Sequence, residues 1–141
     1  MLRQLVVGIA NSSRNVGLHA LGTIMLDRAV QRYWGEDLEE NPMLQRFLLM
    51  IGVGTGLMVA HFLEVVVWAF FYDLLSVSPR GNDAVYFALA QYTTLGYGAT
   101  IAPHDWVLLG PITAANGLLL FGWSTAVIFE VVRTTIPGLR A

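Results

Sequence analysis

The sequence predicts an all-α membrane protein: two core spans, a short helix held between them, and a leading helix before the first span. Three observations carry that reading. The chain is 55% hydrophobic and only 13% charged, with a mean hydropathy of +0.59. That balance suits a chain solvated by lipid rather than a water-soluble globule. Two apolar segments, 47–75 and 106–132, are each long enough to cross a bilayer. Between them, a turn and a capping residue open a short apolar stretch, 84–92.

The leading segment, 5–26, has the length of a span, but Asn11, Ser12, Ser13, Arg14 and Asn15 interrupt its middle. Asn11, Asn15 and His19 recur every four residues, so a helix would place them on one face that could be buried. Arg3 and the Asp27-Arg28 pair bracket the segment, which favours a third span over an amphipathic helix lying in the interface. The linker to residue 46 is acidic, with Glu36, Asp37, Glu39 and Glu40. Residues 1–46 therefore form one unit, helix plus linker, and 47–141 form the second.

The first core span carries Gly52, Gly54 and Gly56 near its start, a small-residue face for close helix contact. After it, Ser78-Pro79-Arg80-Gly81-Asn82 reads as a turn, and Asn82 or Asp83 can cap a helix over 84–92. Residues 101–105 return the chain to the second core span, where Pro111 fits the first turn. Arg28, Arg32 and Arg46 flank the linker and Arg133 and Arg140 follow the last span, against Arg80 alone between the core spans. The positive-inside bias puts linker and C-terminus in the cytoplasm and the loop between the core spans outside.

Composition also excludes. Without cysteine there are no disulfides and no thiolate metal sites. All eight basic residues are arginine and none forms a basic run, so nucleic acid is not an expected partner. No catalytic constellation is visible; an enzyme is not expected, nor an organic cofactor. No span is rich enough in arginine to sense voltage.

The most specific motif follows the short helix: Thr93-Thr94-Leu95-Gly96-Tyr97-Gly98. Glycine reaches dihedrals that residues with a β-carbon avoid, so a glycine-punctuated strand can turn successive carbonyls toward one axis. This run resembles the potassium channel pore module, whose signature is T-V-G-Y-G, with Leu95 in place of valine. The resemblance covers about residues 47–133. It implies a re-entrant pore helix and a selectivity filter at Thr94, Leu95, Gly96, Tyr97 and Gly98. Potassium would be held at Thr94, Leu95, Gly96 and Tyr97, and Thr93, Gln91 and Tyr92 would support the strand. One chain supplies one strand and the ion cage needs four, so the resemblance implies a homotetramer in a lipid bilayer, passing potassium passively.

By the same resemblance the last span is the inner, cavity-lining helix, with Gly117 near the hinge and Phe121, Thr125 and Phe129 along one face. Gly122 is the alternative hinge. Asn116 to Thr125, N-G-L-L-L-F-G-W-S-T, is also similar to small bacterial channel-like proteins with a leading helix and an H-x-x-E second helix, which implies a bacterial plasma membrane. Two positions depart from the potassium channel pattern. Ala99 stands where an aspartate usually follows the filter, and Ala90 stands where a carboxylate can sit behind it.

His61 and Glu64 form that H-x-x-E pair, one helical turn apart in mid-span. Ionisable groups at that depth rarely face lipid. The reading preferred from sequence is a buried polar cluster of Arg14, His61 and Glu64 that docks the leading helix or the pore helix, with an Arg14–Glu64 or Asn11–His61 contact to the leading helix. Two others stand beside it: a proton sensor, and a metal site completed by His19. A non-conducting membrane sensor or assembly protein built on the same fold is the alternative to a channel.

Overall fold

The computed structural model describes residues 1–34, 42–78, 83–96 and 104–135. Among these residues the protein is helical and has no strand. The elements are α1 (Leu2–Trp34), α2 (Pro42–Leu74), α3 (Ala84–Tyr92) and α4 (Leu109–Thr135), with a 3-10 turn at His104–Trp106. α2 and α4 are long and apolar enough to cross a membrane. Their outward side chains are apolar too: Phe62, Val66 and Phe70 on α2, and Leu118, Leu119 and Phe129 on α4, are each more than half exposed in the single chain. The chain is an all-α membrane protein.

α2 starts at Pro42, before the expected residue 47, with proline at the first helical position, where its missing N–H costs little. Its 33 residues extend about 50 Å at 1.5 Å per residue, well beyond the ~30 Å hydrocarbon layer. Gln45 and Arg46 thus fall on helix outside the hydrocarbon, where polar side chains do not end it. At the other end, Val77 N–H donates to Tyr72 O (2.8 Å) and Ser76 N–H to Asp73 O (2.9 Å). Ser76 has φ +51°. This is a Schellman stop with serine in the left-handed position, and Val77, fully buried, supplies its apolar contact.

α1 runs unbroken through the polar island and beyond the expected 5–26. It packs along α2 and α4. Its inner face is polar: Gln4, Asn11, Asn15 and His19 are all buried. Its outer face is apolar, with Val6, Ile9, Leu21 and Met25 more than half exposed. A helix on a water-soluble protein would show the reverse. Close approach is set by small residues. A β-carbon on Gly56 would collide with Leu26, one on Gly8 would meet Ile112 at 2.7 Å, and Gly22 faces the Ala60 β-carbon at 3.6 Å.

α3 has the bounds that the sequence predicts. Asp83 is its cap, its carboxylate accepting from Val85 N–H at 2.8 Å. Phe87, Ala88 and Tyr92 sink into the main core with Val65, Trp68, Tyr72, Trp106 and Leu109, and Ala90 is buried too. Tyr72 meets Phe87 edge to face at 4.9 Å, and its hydroxyl lies 2.5 Å from that of Thr113. A second cluster closes the far end, where Leu49, Val53 and Leu57 of α2 meet Leu26, Val30, Val127 and Val131.

Candidate functional site

Two features meet at the end of α3. The first is the start of the glycine-punctuated strand. Thr94 has φ +61° and Gly96 φ +52°, whereas Leu95 between them is not left-handed. Alternating hand is what lets consecutive peptide groups face one way. A β-branched residue at positive φ is strained, by roughly 1–3 kcal/mol, and strain of this kind clusters at functional sites. Two main-chain bonds tie the strand back to α3: Thr94 N–H to Gln91 O (3.0 Å) and Gly96 N–H to Ala90 O (3.2 Å). Thr94, Leu95 and Gly96 are exposed in the single chain. Tyr97, Gly98 and Ala99 lie outside the described residues.

The supporting residues divide. Thr93 donates its hydroxyl to Leu89 O at 2.8 Å and lies at the surface. Gln91 sits against the first turn of α4, where a β-carbon on Gly110 would meet its Oε1 at 2.8 Å. Tyr92 points away from the strand into the core and is buried. Below α3 lies a groove of about 390 Å³ lined by Leu57, His61, Leu89, Tyr92, Phe121 and Thr125, among others. Of the four α4 residues grouped by sequence, Phe121 and Thr125 line this groove, with Ile128 below them. Gly117 packs instead under the last carbonyl of α3, into which a β-carbon would run. Phe129 lies off the groove and is 65% exposed.

The second feature is a polar node around Glu64, which is fully buried. Its Oε1 lies 2.8 Å from His19 Nδ1 on α1. Its Oε2 accepts a short bond from the Tyr92 hydroxyl of α3 and lies 3.0 Å from His61 Nδ1. The far nitrogens of both imidazoles reach Ser124 of α4, His61 Nε2 at 2.8 Å and His19 Nε2 at 3.3 Å. The carboxylate therefore joins α1, α2 and α3, and the two imidazoles extend the node to α4. Next to it Asn15 donates to Glu64 O (3.3 Å) and to Asn116 Oδ1 (3.2 Å), which also accepts from Trp68 Nε1 (3.1 Å). Sequence reasoning found His61 and Glu64 and placed His19 beside them. It missed Tyr92, Ser124 and Asn116 as partners, because only the packing of α3 and α4 brings them in.

The partner expected for Glu64 is corrected. Arg14 is exposed, and its guanidinium lies over the Phe71 ring at 5.1 Å from the centroid. It sits one residue off the Asn11–Asn15–His19 face, about 100° around the helix. Asn11 is buried on the inner face but makes no hydrogen bond to His61; its amide has no hydrogen-bond partner among the described residues. The Gly22–Ala60 and Leu26–Gly56 contacts set a register that brings His19, not Arg14, level with Glu64.

The donor atoms of His19, His61 and Glu64 all lie within 4.8 Å of one another. The paired contacts of 2.8 and 3.0 Å are hydrogen-bond separations. Ligands of a tetrahedral zinc ion, at 2.0–2.1 Å from the metal, stand about 3.3 Å apart. As it stands the node is held by hydrogen bonds, its paired contacts closer than ligands around a zinc ion.

Residues 58–134, which hold about half of α2, all of α3 and nearly all of α4, match a family model described as "Ion channel". No curated protein and no solved structure matches the chain.

Proposed function

Because the chain belongs to the ion channel family, we propose that it is one subunit of a homotetrameric, potassium-selective channel of a bacterial plasma membrane. The observation that supports this reading is the position of T-T-L-G-Y-G. It begins at the end of a short capped helix held between two spans, and its first residues are wound with alternating hand. Potassium, the cargo, leaves water only if other oxygens replace its hydration shell. The Thr94 hydroxyl and the carbonyls of Thr94, Leu95, Gly96 and Tyr97, repeated in four chains, supply those oxygens. The carbonyl end of α3 adds the negative end of a helix dipole, which favours a cation. Phe121 and Thr125 form the wall beneath. With alanine at positions 90 and 99, the strand depends on its main-chain bonds to α3 and on the anchoring of α3 by Tyr92.

The test is flux from liposomes holding the purified protein, with sodium as competitor. Potassium and rubidium are expected to pass and sodium to be strongly disfavoured, and Tyr97→Asp is expected to relax that preference. Equal sodium and potassium fluxes would sink selectivity. No flux of either ion would favour a non-conducting sensor or assembly protein.

A further inference from the structure

We propose that His19, His61 and Glu64 form a binding site for a six-coordinate dication of the first transition row, such as manganese, iron, cobalt or nickel. The inference does not depend on which ion the chain conducts.

The ligand set is assembled by packing. His19 comes from α1, and His61 and Glu64 come from α2. Both imidazoles turn Nδ1 to the same carboxylate, at 2.8 and 3.0 Å. These separations are too short for the corners of a tetrahedron, but they suit an octahedron. Ligands at ~2.1 Å and at right angles around a six-coordinate ion stand about 3.0 Å apart, and opposite ligands about 4.2 Å. One ligand atom from each of the three residues lies within 4.8 Å of the others. Two imidazoles and one carboxylate on a face of an octahedron are a ligand set of first-row dications. Magnesium and calcium prefer oxygen throughout, so the imidazoles select against them.

The surroundings are those of a ligand set. A metal-binding imidazole donates its other N–H to an oxygen, which fixes its tautomer. Here the far nitrogens of both rings reach one oxygen, Ser124 Oγ, His61 at 2.8 Å and His19 at 3.3 Å. That oxygen has two lone pairs and can accept from both. With both protons on Nε2, two Nδ1 lone pairs face the carboxylate oxygens, acceptor against acceptor, and a cation between them resolves the conflict. The Tyr92 hydroxyl donates to Glu64 Oε2, as outer groups do to a ligating carboxylate. The opposite tautomer, with both protons on Nδ1, closes the node by hydrogen bonds alone. It leaves the charge of a fully buried carboxylate with no permanent cation facing it, because Arg14 is turned to Phe71. A dication supplies that charge. It has a way in, since His61 is partly exposed and lines the groove below α3. Bound there, it would fasten α1 to α2 at the carboxylate that Tyr92 of α3 also holds.

Cobalt(II) alone is the probe. The full chain is purified in detergent through a tag without histidine and stripped with a chelator. A His104→Gln background leaves the node with the only two imidazoles of the chain. One cobalt per chain is expected to survive desalting, with weak visible bands and an X-ray absorption spectrum that shows two imidazoles. His19→Gln and Glu64→Gln are expected to lose the ion on desalting. Ser124→Ala, which removes only the outer acceptor, is expected to bind about 10- to 100-fold more weakly. No retained cobalt, or bound cobalt without imidazole in its absorption spectrum, overturns the proposal and leaves a node held by hydrogen bonds. The intense visible bands of four-coordinate cobalt overturn the six-coordinate geometry. The spectra of the His104→Gln parent decide even where a node variant fails to fold.

Discussion

At the scale of single residues, two glycines of α4 separate packing from flexibility. A β-carbon on Gly117 would enter the space of the Tyr92 carbonyl, which belongs to backbone and cannot swing aside. One on Gly122 meets nothing within 4 Å. Gly117→Ala is therefore expected to cost roughly 1–3 kcal/mol of stability, the usual range for overpacking. Gly122→Ala is expected to be neutral or to stabilise by up to about 1 kcal/mol through helix propensity. Thermal unfolding of the two variants in detergent checks both. Equal effects would mean that α3 does not rest on Gly117. The same contact explains why the hinge position was only half legible in the sequence. Two glycines five residues apart look alike in one dimension, and only the seating of α3 distinguishes them. Tyr92 was legible as a filter neighbour for its position in the chain, but not as a donor to Glu64, a residue on another helix.

Among the elements, α3 was legible to the residue and α1 was not, for different physical reasons. α3 is bounded by local chemistry: Asp83 caps its start, and the left-handed Thr94 follows its end. The polar island of α1 looks like an interruption when its neighbours are unknown. Once Asn11, Asn15 and His19 face inward to partner helices, it is the binding face of a continuous helix, and the other side is apolar and exposed. The register of α1 was illegible because close contacts at Gly22 and Gly56 set it; Gly56 is legible as a contact position, but the residue of α1 that it meets is not. The inverted face argues that α1 spans the membrane. If it does, the N-terminus lies outside and the linker inside. Single cysteines are clean probes in a chain that has none. On intact cells, Arg3→Cys is expected to react with a membrane-impermeant maleimide, and Glu36→Cys to react only after lysis. Protection of both, with labelling of both after lysis, would place α1 on the cytoplasmic surface.

For the whole molecule, the single chain leaves a broad face of α4 uncovered. That face is where a fourfold assembly would put both its axis and its neighbours. Leu118, Thr125 and Phe129 share one side of the exposed arc, and Leu119 and Ala126 share the other, while Leu120 is fully buried against the rest of the chain. Phe121 and Thr125 already border the groove beneath α3, so their side is the one that continues from the strand downwards. If four chains close around that side, its residues meet water and those of the other side meet lipid or a neighbouring subunit. Cysteines at Phe121, Thr125 and Phe129 are then expected to react with water-soluble thiol reagents in an open pore. Reaction at Thr125 is expected to reduce potassium flux most of the three, because it alone is both exposed and on the groove beneath α3. Leu119→Cys and Leu120→Cys are expected to react slowly and to leave flux unchanged. Measuring modification rates and flux on the same liposomes keeps the two outcomes separate. Fast labelling at Leu119 with slow labelling at Thr125 would rotate α4 by about 120°, from the 100° turn per residue. That rotation would remove Phe121 and Thr125 from the axis. It would leave the seating of Gly117 under α3 intact, since that contact is made within one chain.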